Sequence, residues 1–121
     1  MQNQKQILGR EGELIAERYL KKKGYRLVER NYRCSVGELD LIVLDRQVVV
    51  FVEVKARMDD RFGGPLESVH RHKQQRMIRA AQFFLSQQRL HHREARFDVV
   101  GVSFVGRELA IEHIQNAFDF F

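Results

Sequence analysis

The sequence predicts a single α/β domain over residues 1–121: a mixed β-sheet with helices packed against it, in the order α-β-β-β-α-β, then a C-terminal strand and tail. Three observations predict it. Helical periodicity occupies two segments, and strand-like apolar patterning occupies most of the rest. Two runs rich in Val, Ile and Leu, Gly37 to Leu44 and Val48 to Arg57, are separated only by the polar break Asp45-Arg46-Gln47. A chain of 121 residues supplies one hydrophobic core and not two.

The first helix is expected from about Gln4 to Lys23. Leu8, Ile15, Ala16 and Tyr19 form its apolar stripe, and Gly12 allows close approach. Lys21-Lys22-Lys23 followed by Gly24 is a stop signal. Tyr25 to Arg33 reads as the first strand, and the two Val-rich runs as the second and third. Residues Met58 to Leu66, with Gly63, Gly64 and the single proline Pro65, read as a loop. A second helix is expected from about Ser68 to Leu90, with Met77, Ile78, Ala81, Phe84 and Leu85 inward and a polar first half. Phe97 to Val105 is the fourth strand, and Gly106 marks a hairpin into Glu108 to Ile114. The tail Ala117-Phe118-Asp119-Phe120-Phe121 is expected to close over the sheet. A strand, a helix and a strand in succession imply a right-handed crossover that sets the fourth strand parallel to a neighbour.

The chain carries 21 Lys and Arg against 16 Asp and Glu, a net charge of +5. That balance is either an ordinary solubility charge or the mark of an anionic partner, with nucleic acid ahead of membrane. The single cysteine, Cys34, excludes a disulfide framework and a Cys-based zinc site, and with them an oxidising signature, so a cytoplasmic location is expected. The polar start Met1-Gln2-Asn3-Gln4-Lys5-Gln6 shows no signal peptide. The longest unbroken apolar run, Val48 to Val52, is too short to span a bilayer.

The strands hold charges where the pattern asks for core. In the third, Val49, Phe51, Glu53 and Lys55 share a face by alternation, opposite Val48, Val50, Val52 and Val54. In the second, Asp40, Ile42 and Leu44 share a face, opposite Leu39, Leu41 and Val43. A two-residue Arg46-Gln47 turn sets Ile42 opposite Phe51 and Asp40 opposite Glu53. Directly opposed Cβ atoms lie about 4.5–5.5 Å apart, so the two carboxylates repel and need a neutralising partner. A divalent cation is the simplest, and a one-residue slip would remove the site. On the first helix Glu13 falls at the edge of the apolar stripe, within reach of that end of the sheet, while Glu11 and Glu17 are expected to point further towards solvent. The bland alternative is an edge-strand ion pair between Glu53 and Lys55. The histidine pairs His70/His72 and His91/His92 have the wrong spacing for a shared helix face, and His113 is read as a strand residue with no special role.

Gly37-Glu38-Leu39-Asp40-Leu41-Ile42, followed by Val50-Phe51-Val52-Glu53-Val54-Lys55-Ala56-Arg57, resembles the signature of the YraN family, small bacterial proteins regarded as candidate nucleases. The resemblance begins at Gly9-Arg10-Glu11-Gly12-Glu13, with Ala16 and Tyr19-Leu20. It resumes at Asn31, Phe62-Gly63 and Lys73, and ends at Arg96-Phe97-Asp98-Val99-Val100 and Asn116-Ala117-Phe118. Through that family the sequence is similar to the PD-(D/E)xK superfamily and to archaeal Holliday-junction resolvases. The resemblance implies a restriction-endonuclease-like three-layer core. It also implies a metal-dependent endonuclease acting on phosphodiester bonds of nucleic acid, DNA ahead of RNA, with branched or structured DNA in view. Asp40, Glu53 and Lys55 match the motif acids and lysine, and Glu13 matches the first-helix acid of the resolvase branch. Leu39 stands where the superfamily pattern has proline.

On this reading Asp40, Glu53 and Glu13 hold Mg²⁺ or Mn²⁺, and Lys55 orients the attacking water, stabilises charge or acts as base. Arg10, Arg57, Arg71, Lys73 and Arg76 form the nucleic-acid-holding surface, best placed at the start of the second helix. Arg61-Phe62-Gly63-Gly64-Pro65 is a candidate flap. Resolvases of this kind act as symmetric dimers, which makes a homodimer the implied assembly. Two other readings compete: a non-catalytic nucleic-acid-binding protein that keeps the fold, and an adaptor presenting Phe118, Phe120 and Phe121. The nuclease reading requires an uneven charge, with acids gathered in a pocket ringed by basic side chains.

Overall fold

The computed structural model of the chain describes residues 3–58 and 69–120. Helix α1 spans Gln4–Lys22, followed by strands β1 (Arg26–Cys34), β2 (Gly37–Asp45) and β3 (Val48–Arg57), helix α2 (Arg71–Gln87), and strands β4 (Ala95–Val105) and β5 (Glu108–Phe118). The expected loop after β3 and the candidate flap, Arg61 to Pro65, fall outside the described residues.

Asn3 and Gln6 close a reciprocal capping box at the start of α1, each side chain holding the other's backbone N–H at 2.8 and 3.1 Å. Gly24 ends the helix at φ 95°, a conformation costly for any residue with a Cβ. The five strands form one sheet in sequence order. β1–β2, β2–β3 and β4–β5 are antiparallel, and β3–β4 is parallel, as a crossover through α2 requires. β3 is central, and its Val-rich pattern follows from burial on both faces.

Each helix covers one face. Ala16 and Leu20 of α1 pack with Leu41, Val43, Val50, Val52, Val100 and Val102. Met77, Ala80, Ala81, Phe84 and Leu85 of α2 pack with Ile42, Val49, Phe51, Phe97 and Val99. This is the three-layer α/β core that the sequence predicts. Gly12 is where α1 comes closest to β3, since a Cβ there would lie 2.6 Å from Ala56 Cβ.

Three expectations are corrected. α2 is shorter than Ser68 to Leu90, beginning at Arg71 and ending at Gln87. β5 runs on to Phe118, so Ala117 and Phe118 belong to a strand. Phe118 and Phe120 pack against Phe97 at ring-centroid distances of 4.7 and 4.6 Å. Those two rings are partly buried against the core, which leaves less of them to serve the adaptor reading's contact; Phe121 lies outside the described residues. Glu17 is buried, because β1 brings Arg30 across α1 to hold it at 2.6 and 3.0 Å, with Lys21 at 2.9 Å.

His113 is also more than a strand residue. Its Nε2 lies 2.8 Å from Oδ2 of the fully buried Asp98, which also accepts from Arg96 Nε at 2.9 Å and the Asn116 N–H at 3.0 Å. Arg96 continues to Asp45 at 3.0 Å and the Tyr25 hydroxyl at 2.9 Å. Burial alone would raise the Asp98 carboxyl; the hydrogen bonds from His113, Arg96 and Asn116 outweigh it and hold it below its ordinary value of 3.8. This network ties β4 and β5 to the β1 and β2 ends near the C-terminus of α1. Among the described residues no buried side-chain nitrogen or oxygen is left without a hydrogen-bond partner, and no helix is long and apolar enough to cross a membrane.

Candidate active site

The β2–β3 hairpin turns at Arg46-Gln47, with Arg46 in the left-handed region at φ 57°. Neither residue is favoured in such a turn, so the apolar strands set the register and the turn follows. Asp45 pairs Val48, Leu44 pairs Val49 and Ile42 pairs Phe51, the register expected from the pattern. The ladder ends at Leu41 and Val52.

What happens next creates the site. Leu39 packs with Ile42 on the α2 side, while Leu41 and Val43 pack on the α1 side. Strict alternation would put Leu39 with Leu41, so β2 shifts faces by one residue around Asp40. That corrects the expected face assignment. The shift leaves Asp40 free of the regular pattern at the place where β2 parts from β3. Its Oδ2 accepts the Val54 N–H at 2.8 Å, so the side chain caps a main-chain donor at the end of the ladder. Asp40 and Glu53 are hydrogen-bonded to each other. Burial, the hydrogen bond to Glu53 and the Glu53 charge raise the Asp40 carboxyl from 3.8 to about 8, so it holds a proton at neutral pH.

Glu53 lies buried near the end of the β3 face that includes Val49 and Phe51. From α2, Lys73 reaches it, with Nζ 3.1 Å from Oε2. The Lys73 charge also bears on Lys55, two residues along β3 from Glu53. Burial first, and then the Lys73 contact, lower the Lys55 ammonium from its ordinary 10.5, although the acids oppose the shift. Desolvation acts on Lys73 in the same sense but is outweighed, the Glu53 charge foremost, and its pKa is raised.

Glu13 approaches from α1, where the close packing at Gly12 sets the helix against Val54 and Ala56. Burial, then the charges of Asp40 and Glu38, raise its carboxyl from 4.5 to about 7. Glu38 was not expected here. It stands one step before the face shift in β2, so its position follows from a kink that no sequence pattern announces. The structure therefore sets Asp40, Glu53, Lys55 and Lys73 together, with Glu13 and the exposed, Arg33-paired Glu38 near enough to be felt electrostatically.

Among the described residues, no three His, Cys, Asp or Glu side chains are gathered tightly enough to enclose a metal ion. The donor chemistry nonetheless fits Mg²⁺ or Mn²⁺. Such ions are commonly held by one or two carboxylates, with waters and substrate phosphates completing the shell. Asp40 and Glu53 are a hydrogen-bonded carboxyl pair of this kind. Glu13 is near enough for Asp40 to be felt electrostatically, but the three form no cluster.

Two hollows flank these groups. One, of about 370 Å³, lies along α1 and is lined by Arg10, Glu13, Glu17, Arg30 and Asn31 among others. The other, of about 220 Å³, lies beside α2 and is lined by Glu38, His72, Lys73, Arg76 and Met77. Of the residues expected to hold nucleic acid, Arg10 edges the first hollow and Arg76 the second. Arg71 opens α2 and is exposed, and Arg57 ends β3 partly buried. Lys73 lies among the acids rather than out on the helix face. α2 begins at Arg71 without a side-chain cap from His70.

Comparison with known proteins agrees with the resemblance at the family level. Residues 12–102 match the uncharacterised protein family UPF0102. The chain is 49% identical over 119 residues to a UPF0102 protein of Desulfosudis oleivorans, covering 98% of this chain and 95% of that one. It is 47% identical over 118 residues to a UPF0102 protein of Desulforapulum autotrophicum, covering 98% of each. It is 43% identical over 117 residues to one from Caldanaerobacter subterraneus subsp. tengcongensis, covering 94% and 96%.

Proposed function

The chain belongs to the UPF0102 family, and from that premise and the geometry where β2 parts from β3 we propose that it is a metal-dependent endonuclease. It would hydrolyse phosphodiester bonds in nucleic acid, DNA ahead of RNA, in a cytoplasmic setting. The family name carries no activity, so the reading rests on the residues. The observation that carries it is the hydrogen-bonded pair Asp40 and Glu53, with a lysine two residues after the second acid, at the open end of a hairpin. Two carboxyls set so close that only one ionises readily are costly to keep at the edge of a core, which favours a chemical use for the pair.

Asp40 and Glu53 would hold Mg²⁺ or Mn²⁺, with Glu13 as a further carboxylate on the α1 side. Such a cation supplies a nucleophilic water at neutral pH and neutralises charge on the scissile phosphate. Lys55 would orient the attacking water and face the developing charge. Its lowered pKa brings it nearer to a role in proton transfer. Arg10 on the α1 side, with Arg71 and Arg76 on the α2 side, would receive backbone phosphates, helped by the start of α2.

The test is to incubate the purified chain with branched, single-stranded and duplex DNA, and with RNA, in Mg²⁺ or Mn²⁺. Asp40→Ala, Glu53→Ala and Lys55→Ala run beside it. Cutting by the native chain with a loss of at least about 100-fold in the variants is expected. Binding without cutting would instead support the non-catalytic reading.

A further inference from the structure

Glu53 is buried, and among the described residues its ion pair is with Lys73, while Lys55 also feels its charge. The two groups come from different elements, β3 and α2, and the Lys73 side chain is about 43% exposed. A lysine suits such a post poorly as a permanent tie and well as a removable one. Its point charge sits on a flexible stem, and unlike a bidentate arginine it gives up only a single contact on leaving. It also has somewhere to go, because Lys73 lines the 220 Å³ hollow beside His72 and Arg76. An oxygen that ligates a divalent cation cannot keep a lysine ammonium against the same lone pairs at 3.1 Å without strong charge repulsion.

We propose that Lys73 is the site's internal counter-cation: it occupies Glu53 while the metal is absent and must be displaced before Glu53 can ligate one. This rests on the metal-dependent reading above. Its consequence is that the protein as built binds its metal more weakly than the two carboxylates alone would.

The proposal is tested by Mn²⁺ titration of the full chain, followed by the electron paramagnetic resonance of free Mn²⁺, which needs no turnover. Lys73→Met should bind Mn²⁺ about two- to fivefold more tightly than the native chain, the range expected when a partly exposed competing ion pair is removed. Lys73→Arg keeps the charge and should bind no more tightly than the native chain. Glu53→Gln should bind far more weakly. A second measurement needs no variant. Amine labelling of the native chain, read by peptide mass spectrometry, should show Lys73 becoming several-fold more reactive when Mg²⁺ is added. Lys21, paired with Glu17 on α1, should not change. Equal Mn²⁺ affinity of the native chain and Lys73→Met, or Lys73 labelling indifferent to Mg²⁺ while Mn²⁺ binds, would overturn the displacement and leave the metal site standing. No Mn²⁺ binding by any of these proteins would overturn both.

Discussion

Asp40 departs from the β2 pattern because the backbone around it breaks step, with Leu39 packed on the α2 side and Leu41 on the α1 side. Asp40, Glu53 and Lys55 could be picked out from strand periodicity and a hairpin, since two acids and a lysine at the ends of apolar faces violate the pattern. Glu38 could not, and Lys73, expected on the nucleic-acid-holding surface, could not be placed against Glu53. One depends on a face shift within β2, the other on packing between α2 and β3, and neither leaves a local trace. Glu17 was misread for the same reason, since its burial depends on Arg30 from another element. Asp40 and Glu13 bind protons more tightly in the folded chain, at about 8 and about 7, than their ordinary values of 3.8 and 4.5. Their contribution to stability is therefore full below those ordinary values and is lost as pH rises through about 7 to 8. Asp40→Asn removes one titration and the repulsion with Glu53. Denaturant unfolding should find it more stable than the native chain by about 1–3 kcal/mol at pH 9, with the gap closing by about pH 5. Curves that stay parallel across that range would contradict the assignment.

At the scale of elements, the site depends on how closely α1 lies against β3. The stripe on α1 and the Gly12 contact were legible in the sequence. The capping box at Asn3 was not recognised, because polar residues crowd that whole terminus. Gly12→Ala gains about 1 kcal/mol of helix propensity but places a Cβ 2.6 Å from Ala56 Cβ, well inside contact distance. The clash should win, with a net loss of about 1–2 kcal/mol and a displaced Glu13. Adding Ala56→Gly removes the obstructing methyl. The double variant should recover at least half of the lost stability, measured by thermal unfolding. A double variant no more stable than Gly12→Ala alone would show that the close approach is not what Gly12 provides.

Across the whole molecule, two groups of charges pull stability in opposite directions with pH. At the open end of β2 and β3, raised carboxyls make folding weaker as pH rises. Around Asp98, a lowered carboxyl contributes stability that is present above its ordinary 3.8 and lost as pH falls through the lower folded value. The chain should be most stable between about pH 4 and 6. Mg²⁺ or Mn²⁺ should lift only the alkaline limb, and a chelator should abolish that lift. Asp98→Ala strands Arg96 and His113 and should cost about 3–5 kcal/mol. The layer order and the parallel β3–β4 pair were readable from the order of periodicities. The Asp98–His113 network was not, because its members are 15 residues apart on paired strands and mark no motif.

If Asp40 and Glu53 hold a metal that serves phosphodiester hydrolysis, cutting must depend on both carboxylates and on the ion. The most direct measurement is the release of fragments from an end-labelled panel of branched, single-stranded and duplex DNA in Mn²⁺. The native chain is compared with Asp40→Asn and Glu53→Gln, two substitutions of nearly unchanged shape. Cutting by the native chain that is abolished in both variants and by chelation is the predicted result. No cutting of any substrate, or equal cutting by the native chain and both variants, would contradict it.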